Sequence, residues 1–232
     1  MPDAAAGTDE GDDPGNGSDD ARAADGRRPG RRGLATRQKL LECTATMLGA
    51  GSYRELKVVD IAREAGTSPA TFYQYFADVE AAILVLAEDM AVSGGRLPTI
   101  VESGSWKGRA GYDRALELVD AVLEFWEVHR AVLRVIELTT EEGDQRFRQI
   151  RTKLLAALND SLANVFRVFQ DEGRHPGGLD PRATAGSVVA MLAHVAQHRY
   201  GFEFWGIRTG DLRTTMARQV YWAITGQKPP AA

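Results

Sequence analysis

From residue 34 onward apolar side chains recur at helical spacing, and no stretch alternates in the two-residue rhythm of a strand. The clearest pattern is Val58, Ile61, Ala62 and Ala65, which fall at i, i+3, i+4 and i+7 and line one face of a short helix. Gly66 follows, where the chain must reverse and only glycine takes the left-handed conformation without steric cost. Thr67 or Ser68 can cap the next helix, and Pro69 suits its first turn, where a missing N–H costs nothing. In that second helix Phe72 and Phe76 share a face, which leaves Ala70, Thr71, Tyr73, Gln74 and Tyr75 pointing outward. Two short helices about a glycine turn, the second showing hydroxyls and an amide to solvent, have the layout of a helix-turn-helix. Phosphate oxygens and base edges are the partners such a face fits.

The remaining elements follow from periodicity and breakers. A first helix runs from Thr36 to about Ala50, with Leu40, Cys43 and Met47 inward. Asp78 can cap a long helix over 78–93 that turns Ala82, Ile83, Leu86, Ala87 and Met90 to the core. Residues 94–108, with Pro98, Gly104 and Trp106, read as a loop or short broken helix. Helices are predicted near 109–128, 130–141 and 144–172, and the cluster 173–178 breaks the chain. Leu179-Asp180-Pro181 opens a helix to about Tyr200, and a last one spans 209–225. The fold class is therefore all-α: a three-helix N-terminal unit over 34–77, a connecting helix over 78–93, and a larger helical domain over 94–226.

Composition changes this picture mainly at the ends. Residues 1–33 are rich in Gly, Asp, Ala and Pro and too poor in apolar groups to offset ordering entropy, so they are expected to be disordered, as are 227–232. The tail is acidic first (Asp3 to Asp25) and basic afterwards, at Arg27, Arg28, Arg31, Arg32 and Arg37. A basic arm before the first helix can follow phosphates or enter a minor groove; a solvated tail without contacts is the alternative. The formal net charge of -4 argues against a general nucleic-acid coat protein and confines positive potential to a local surface. The single cysteine, Cys43, excludes an intramolecular disulfide and is expected to be a buried thiol. With no signal peptide and no apolar run long enough to span a bilayer, a cytoplasmic location is expected.

Over roughly Thr36 to Met90 the chain resembles the TetR family of bacterial transcriptional regulators. The resemblance is carried by the Gly51-x-Tyr53 turn, Asp60-Ile61-Ala62, Ala65-Gly66-Thr67-Ser68 and Thr71-Phe72-Tyr73-x-Tyr75-Phe76. Two positions depart from the family pattern: Lys57 stands where a threonine is usual, and Val79 where a lysine usually supplies a phosphate contact. The resemblance implies a homodimer that binds a palindromic double-stranded DNA operator and is released by a small effector. A helical carrier or enzyme with a vestigial helix-turn-helix is the alternative. On this reading DNA is met by Lys57, Thr67, Ser68, Pro69, Ala70, Thr71, Tyr73, Gln74 and Tyr75, with Arg31, Arg32 and Arg37 from the arm.

The rest of the chain supplies weaker signals. The segment 183–196 is apolar nearly all round and rich in small residues, so it must be covered on most sides. Together with the last helix it is expected to form the dimer interface through Thr184, Val188, Met191, Leu192, Val195, Met216, Val220 and Trp222. An aromatic and aliphatic stripe in the middle is core by default. The family resemblance makes Trp106, Phe125, Trp126, His129, Leu133 and Phe147 candidates for lining an effector pocket. The effector would be apolar or amphipathic: a lipid, an acyl derivative or an aromatic compound. His194 and His198 lie one helical turn apart but lack the glutamate of a metalloprotease motif, so no metal is expected. No phosphate loop, nucleophile elbow or paired-carboxylate site is present in the sequence, and neither a cofactor nor a catalytic residue is expected.

Overall fold

The computed structural model describes residues 30–230, and its regular structure there is entirely helical. The helices are α1 (Arg31–Ala50), α2 (Val58–Glu64), α3 (Pro69–Tyr75), α4 (Val79–Ser93), α5 (Arg96–Glu102), α6 (Gly108–Val128), α7 (Arg130–Glu141), α8 (Gln145–Asp171), α9 (Pro181–Phe204) and α10 (Thr209–Thr225). A single 3₁₀ turn, Tyr53–Glu55, joins α1 to α2. Among the described residues no helix is long and apolar enough to cross a membrane.

Two apolar clusters divide the molecule. The small one holds Leu40, Leu41, Ile61, Ala65, Phe72, Phe76 and Ala82, and so welds α1, α2, α3 and the start of α4 into a reading head. The large one gathers the inward faces of α4 to α10 together with Leu48 from the end of α1. α4 belongs to both, since Ala82 lies in the first while Ile83, Ala87 and Met90 lie in the second.

Several boundaries differ from expectation for identifiable reasons. α1 starts at Arg31, so Arg31 and Arg32 sit on its first turn rather than in an arm, while Arg27 and Arg28 lie outside the described residues. Residues 96–102 form a helix because the carbonyls at its end are taken up: Trp106 donates its indole N–H to Val101 O (2.8 Å), and Arg114 donates to Ile100 O (2.8 Å). α9 runs past Tyr200 to Phe204, anchored where Arg199 and the Tyr200 hydroxyl both bond the Glu127 carboxylate of α6. Gln227 is tied down as well, accepting from the Tyr221 hydroxyl (2.9 Å) and the Gly108 N–H (3.3 Å). Cys43 is half-buried rather than enclosed, and desolvation, then the nearby Glu64 carboxylate, push its thiol above the ordinary range.

The turn into α6 brings backbone against backbone. A Cβ on Gly111 would fall 2.0 Å from the Trp106 carbonyl oxygen, a contact no rotamer change relieves. Gly111→Ala is therefore expected to destabilise the larger body by roughly 1–3 kcal/mol or more, a cost typical of overpacking. That corresponds to a loss of several degrees in Tm, at about 2–4 °C per kcal/mol for a chain of this size. Thermal unfolding followed by circular dichroism checks this, and an unchanged melt would show that the α5–α6 turn yields easily.

Candidate nucleic-acid interface and effector-binding body

The reading surface is built by local chemistry. Gly66 takes φ +69°, and the Thr67 N–H closes the turn onto Ala62 O at 2.8 Å. Ser68 Oγ accepts from the Thr71 N–H (3.2 Å) and lies 3.0 Å from Thr71 Oγ1, while Pro69 occupies the first helical position. Phe72 and Phe76 are buried with ring centroids 5.4 Å apart, so the opposite face of α3 must look outward. Tyr73 is 53% exposed, and Ser68, Pro69, Ala70 and Gln74 are also exposed. Thr67 and Thr71 are half-buried at the start of the helix. Tyr75 departs from expectation: it is half-buried against the head core, because its ring packs beside Phe76 instead of projecting. Arg37 is also half-buried, with its guanidinium 5.4 Å from the Phe76 ring centroid, so it braces the head from α1.

Lys57 stands exposed at the cap position of α2 and makes no side-chain cap. It borders a cleft of about 650 Å³ shared with Tyr53, Val59, Tyr73, Asp78 and Glu80. Asp78 in that cleft is engaged, accepting the Ala81 N–H of α4 at 2.7 Å. Besides α4, Leu48 of α1 is buried in the larger body's core with Tyr53 and Leu56 packed against it, and two polar ties join the bodies as well. Arg134 of α7 donates Nη2 to the Gly51 carbonyl at the end of α1 (2.6 Å), and Arg54 pairs with Glu142 after α7.

In the larger body the six residues proposed from sequence as pocket lining separate into two groups. Trp106, Trp126, Leu133 and Phe147 are packed within the core. Phe125 and His129 edge a recess of about 300 Å³ with Ser93, Leu97, Ala121 and Val128. There Ser93 Oγ lies 3.2 Å from His129 Nε2, and burial holds the imidazole pKa below its ordinary value. A groove of about 930 Å³ opens elsewhere, between α7, α8 and α9. The residues proposed for dimerisation also divide. Val188, Leu192, Met216 and Val220 complete this chain's own core, which removes them from any second copy, whereas Thr184, Met191 and Val195 are half-buried and Trp222 is 65% exposed. The His194 and His198 rings are 4.4 Å apart, but no group of three metal-ligating side chains occurs among the described residues.

Residues 40–81 match the model of bacterial regulatory proteins of the tetR family, and 97–231 match that of the tetracyclin repressor-like C-terminal domain. The chain belongs to the TetR family. Among its relatives is the uncharacterized HTH-type transcriptional regulator YdgC of Bacillus subtilis, 24% identical over 202 residues, covering 85% of this chain and 95% of that protein. The fold is shared with the fatty acid degradation regulator FadR from Bacillus halodurans (TM-score 0.57, 16% identity, 85% of this chain and 97% of that one). It is also shared with FadR from Bacillus subtilis, solved in complex with stearoyl-CoA (TM-score 0.54, 15% identity, coverage 82% and 98%). A further neighbour is a TetR-family regulator from Mesorhizobium loti (TM-score 0.62, 17% identity, coverage 84% and 97%).

As a TetR-family transcriptional regulator, the protein presents several residues that sequence reasoning passed over. Tyr53 and Val59 join Lys57 and Tyr73 in the cleft beside the recognition helix, brought there by the 3₁₀ turn that no periodicity announces. Arg134, Thr152, Asn159, Gly186 and Ala193 line the α7–α8–α9 groove. The one trace of that groove in the sequence is the set of small residues at 186, 190 and 193, which leave a helix face without bulk.

Proposed function

We propose that this TetR-family regulator binds a two-fold-symmetric operator as a homodimer, acts as a repressor, and leaves DNA when a small apolar or amphipathic effector occupies the larger body. The observation that carries the DNA half is the division of α3: Phe72 and Phe76 are buried while Tyr73 and Gln74 stand in solvent. Ser68, Pro69, Ala70 and Thr71 at its N-terminal end approach the backbone and base edges, and Lys57, Arg31 and Arg32 reach phosphates. Enrichment of bound fragments from a random duplex pool tests this. A sequence with two inverted half-sites about 34–36 Å apart, or one more turn apart, is expected. Recovery of asymmetric sites, or none, would overturn the operator reading.

The dimer face on this reading is the outward side of α9 and α10. On α9 that side carries Ala183 and Ser187, small enough for close helix approach, and on α10 it carries Trp222 with Gln219 and Thr215. An exposed tryptophan flanked by small residues is the kind of anchor that carries interface energy. Trp222→Glu is expected to weaken self-association tenfold or more (at least ~1.4 kcal/mol). Sedimentation equilibrium reads it directly; a dimer unaffected by the substitution places the interface elsewhere.

The effector half is supported by the fold shared with a regulator crystallised with stearoyl-CoA and by the paths between the bodies, through α4 and through Arg134. An effector acts only by its different affinity for the two states, so operator binding must weaken effector binding by the same factor.

A further inference from the structure

The α7–α8–α9 groove has a volume of about 930 Å³, inside the range of about 300–1,000 Å³ usual for small-molecule sites. Its walls combine apolar Leu138, Leu155, Val189 and Ala193 with polar Glu141, Gln197 and His198. Room is left because α9 carries Gly186, Ala190 and Ala193 there, and Asn159 in the same wall has its Oδ1 buried without a hydrogen-bond partner. Two guanidinium groups stand at the rim. Arg151 is neutralised, with Nε 2.7 Å from Glu137 Oε1. Arg134 instead spends its Nη2 on the Gly51 carbonyl, a neutral acceptor on the reading head.

That asymmetry chooses the ligand. We infer that the groove is the effector site of this regulator, and that it takes an amphipathic molecule whose anionic head, carboxylate or phosphate, binds Arg134 while its apolar body lies along α8 and α9. The inference rests on the effector-responsive reading above and gives it a place and a chemistry. An anionic head offers Arg134 charge pairing and a second acceptor oxygen that the neutral Gly51 carbonyl does not, so the head group draws Arg134 away from Gly51. The end of α1 then loses its hydrogen bond to α7. What remains beside α4 and the buried Leu48 of α1 is the Arg54–Glu142 pair, exposed on both sides and therefore weak. The ligand thus binds more tightly to the state in which the head is loosened from the body, which is the differential affinity that release requires.

The full chain, without DNA, is titrated with dansyl-undecanoate and the probe is displaced with dodecanoate, dodecyl phosphate or dodecanol. Both anions are expected to displace it at concentrations roughly tenfold lower than the alcohol, the size of one charge-assisted hydrogen bond. Their relative potency tells carboxylate from phosphate. Arg134→Gln is expected to erase the difference between acid and alcohol while leaving dodecanol displacement unchanged. Thr152→Trp, from an exposed position in the groove wall, is expected to block the probe altogether. Both variants are checked for wild-type helicity and melting. Equal displacement by acid and alcohol, or an Arg134→Gln chain that keeps the preference, overturns the inference. So does a Thr152→Trp chain that binds the probe normally; if it also fails to self-associate, the groove is covered by a second copy. A mobility-shift assay with the same dodecanoate separates the two readings: binding without loss of DNA leaves the site standing but removes its effector role and the release through Arg134. Absence of binding removes the site and leaves effector control to another location.

Discussion

Phe72→Ala is expected to unfold the reading head while the larger helical body stays folded. The Phe72 ring is completely enclosed, tilted against Phe76 at 5.4 Å and edge-on to Tyr73 at 5.9 Å, in the small cluster separate from the main core. Cutting a buried phenylalanine to alanine costs ~3–5 kcal/mol, against a whole-protein stability of about 5–15 kcal/mol. α2 and α3 have seven residues each, well under the roughly 12–15 residues an isolated helix needs in water. Their order comes from this packing, so its loss frees both helices together. Hydrogen exchange read by mass spectrometry should show protection lost over 58–76 and retained over 145–171, with operator binding abolished. If α3 kept its protection while DNA binding vanished, Phe72 would have to be a contact and the orientation of the helix would be wrong.

How far the molecule was legible in its sequence depended on whether the determining forces were local. The helix-turn-helix was legible because Gly66, Ser68 and Pro69 each specify backbone geometry within a residue or two of themselves, and the structure places all three as their chemistry requires. The end of α9 was not legible, since Gly201 argues for a stop and the contact that overrides it, Glu127 with Arg199 and Tyr200, spans more than seventy residues. Periodicity showed that α9 and α10 bury apolar residues but could not say which molecule covers them. Val188, Leu192, Met216 and Val220 turned out to be enclosed by their own chain. The effector stripe was ambiguous for a related reason: a packed core and a lined pocket require the same large apolar side chains at the same spacing. A groove is defined by volume that no side chain fills, so it is written in Gly186, Ala190 and Ala193 and in the meeting of α7, α8 and α9.

Replacing Tyr73 and Gln74 together by alanine should abolish specific recognition without touching the fold. Both side chains are exposed on α3 and neither belongs to either core cluster; only the edge contact of Tyr73 with Phe72 is lost, so the thermal melt should fall by a few degrees at most and α3 should keep its exchange protection. Side-chain contacts to base edges are worth about 1–3 kcal/mol each, so the pair should lose on the order of 100-fold or more in affinity for the selected operator. Affinity for unrelated duplex should change little, because Lys57, Arg31 and Arg32 remain to bind phosphates, and the salt dependence should keep its slope. That contrast distinguishes base reading from backbone contact. A uniform loss on all sequences with a shallower salt slope would mean that Tyr73 and Gln74 only grip the backbone, and that specificity is carried by the start of α3 at Ala70 and Thr71. Neighbouring Tyr75 provides the control: its ring is half-buried against the head core, so Tyr75→Ala should show in the melt as well as in DNA binding. A double variant that melted early in the same way would place Tyr73 in the core, leaving the outward face of α3 too bare to read a groove.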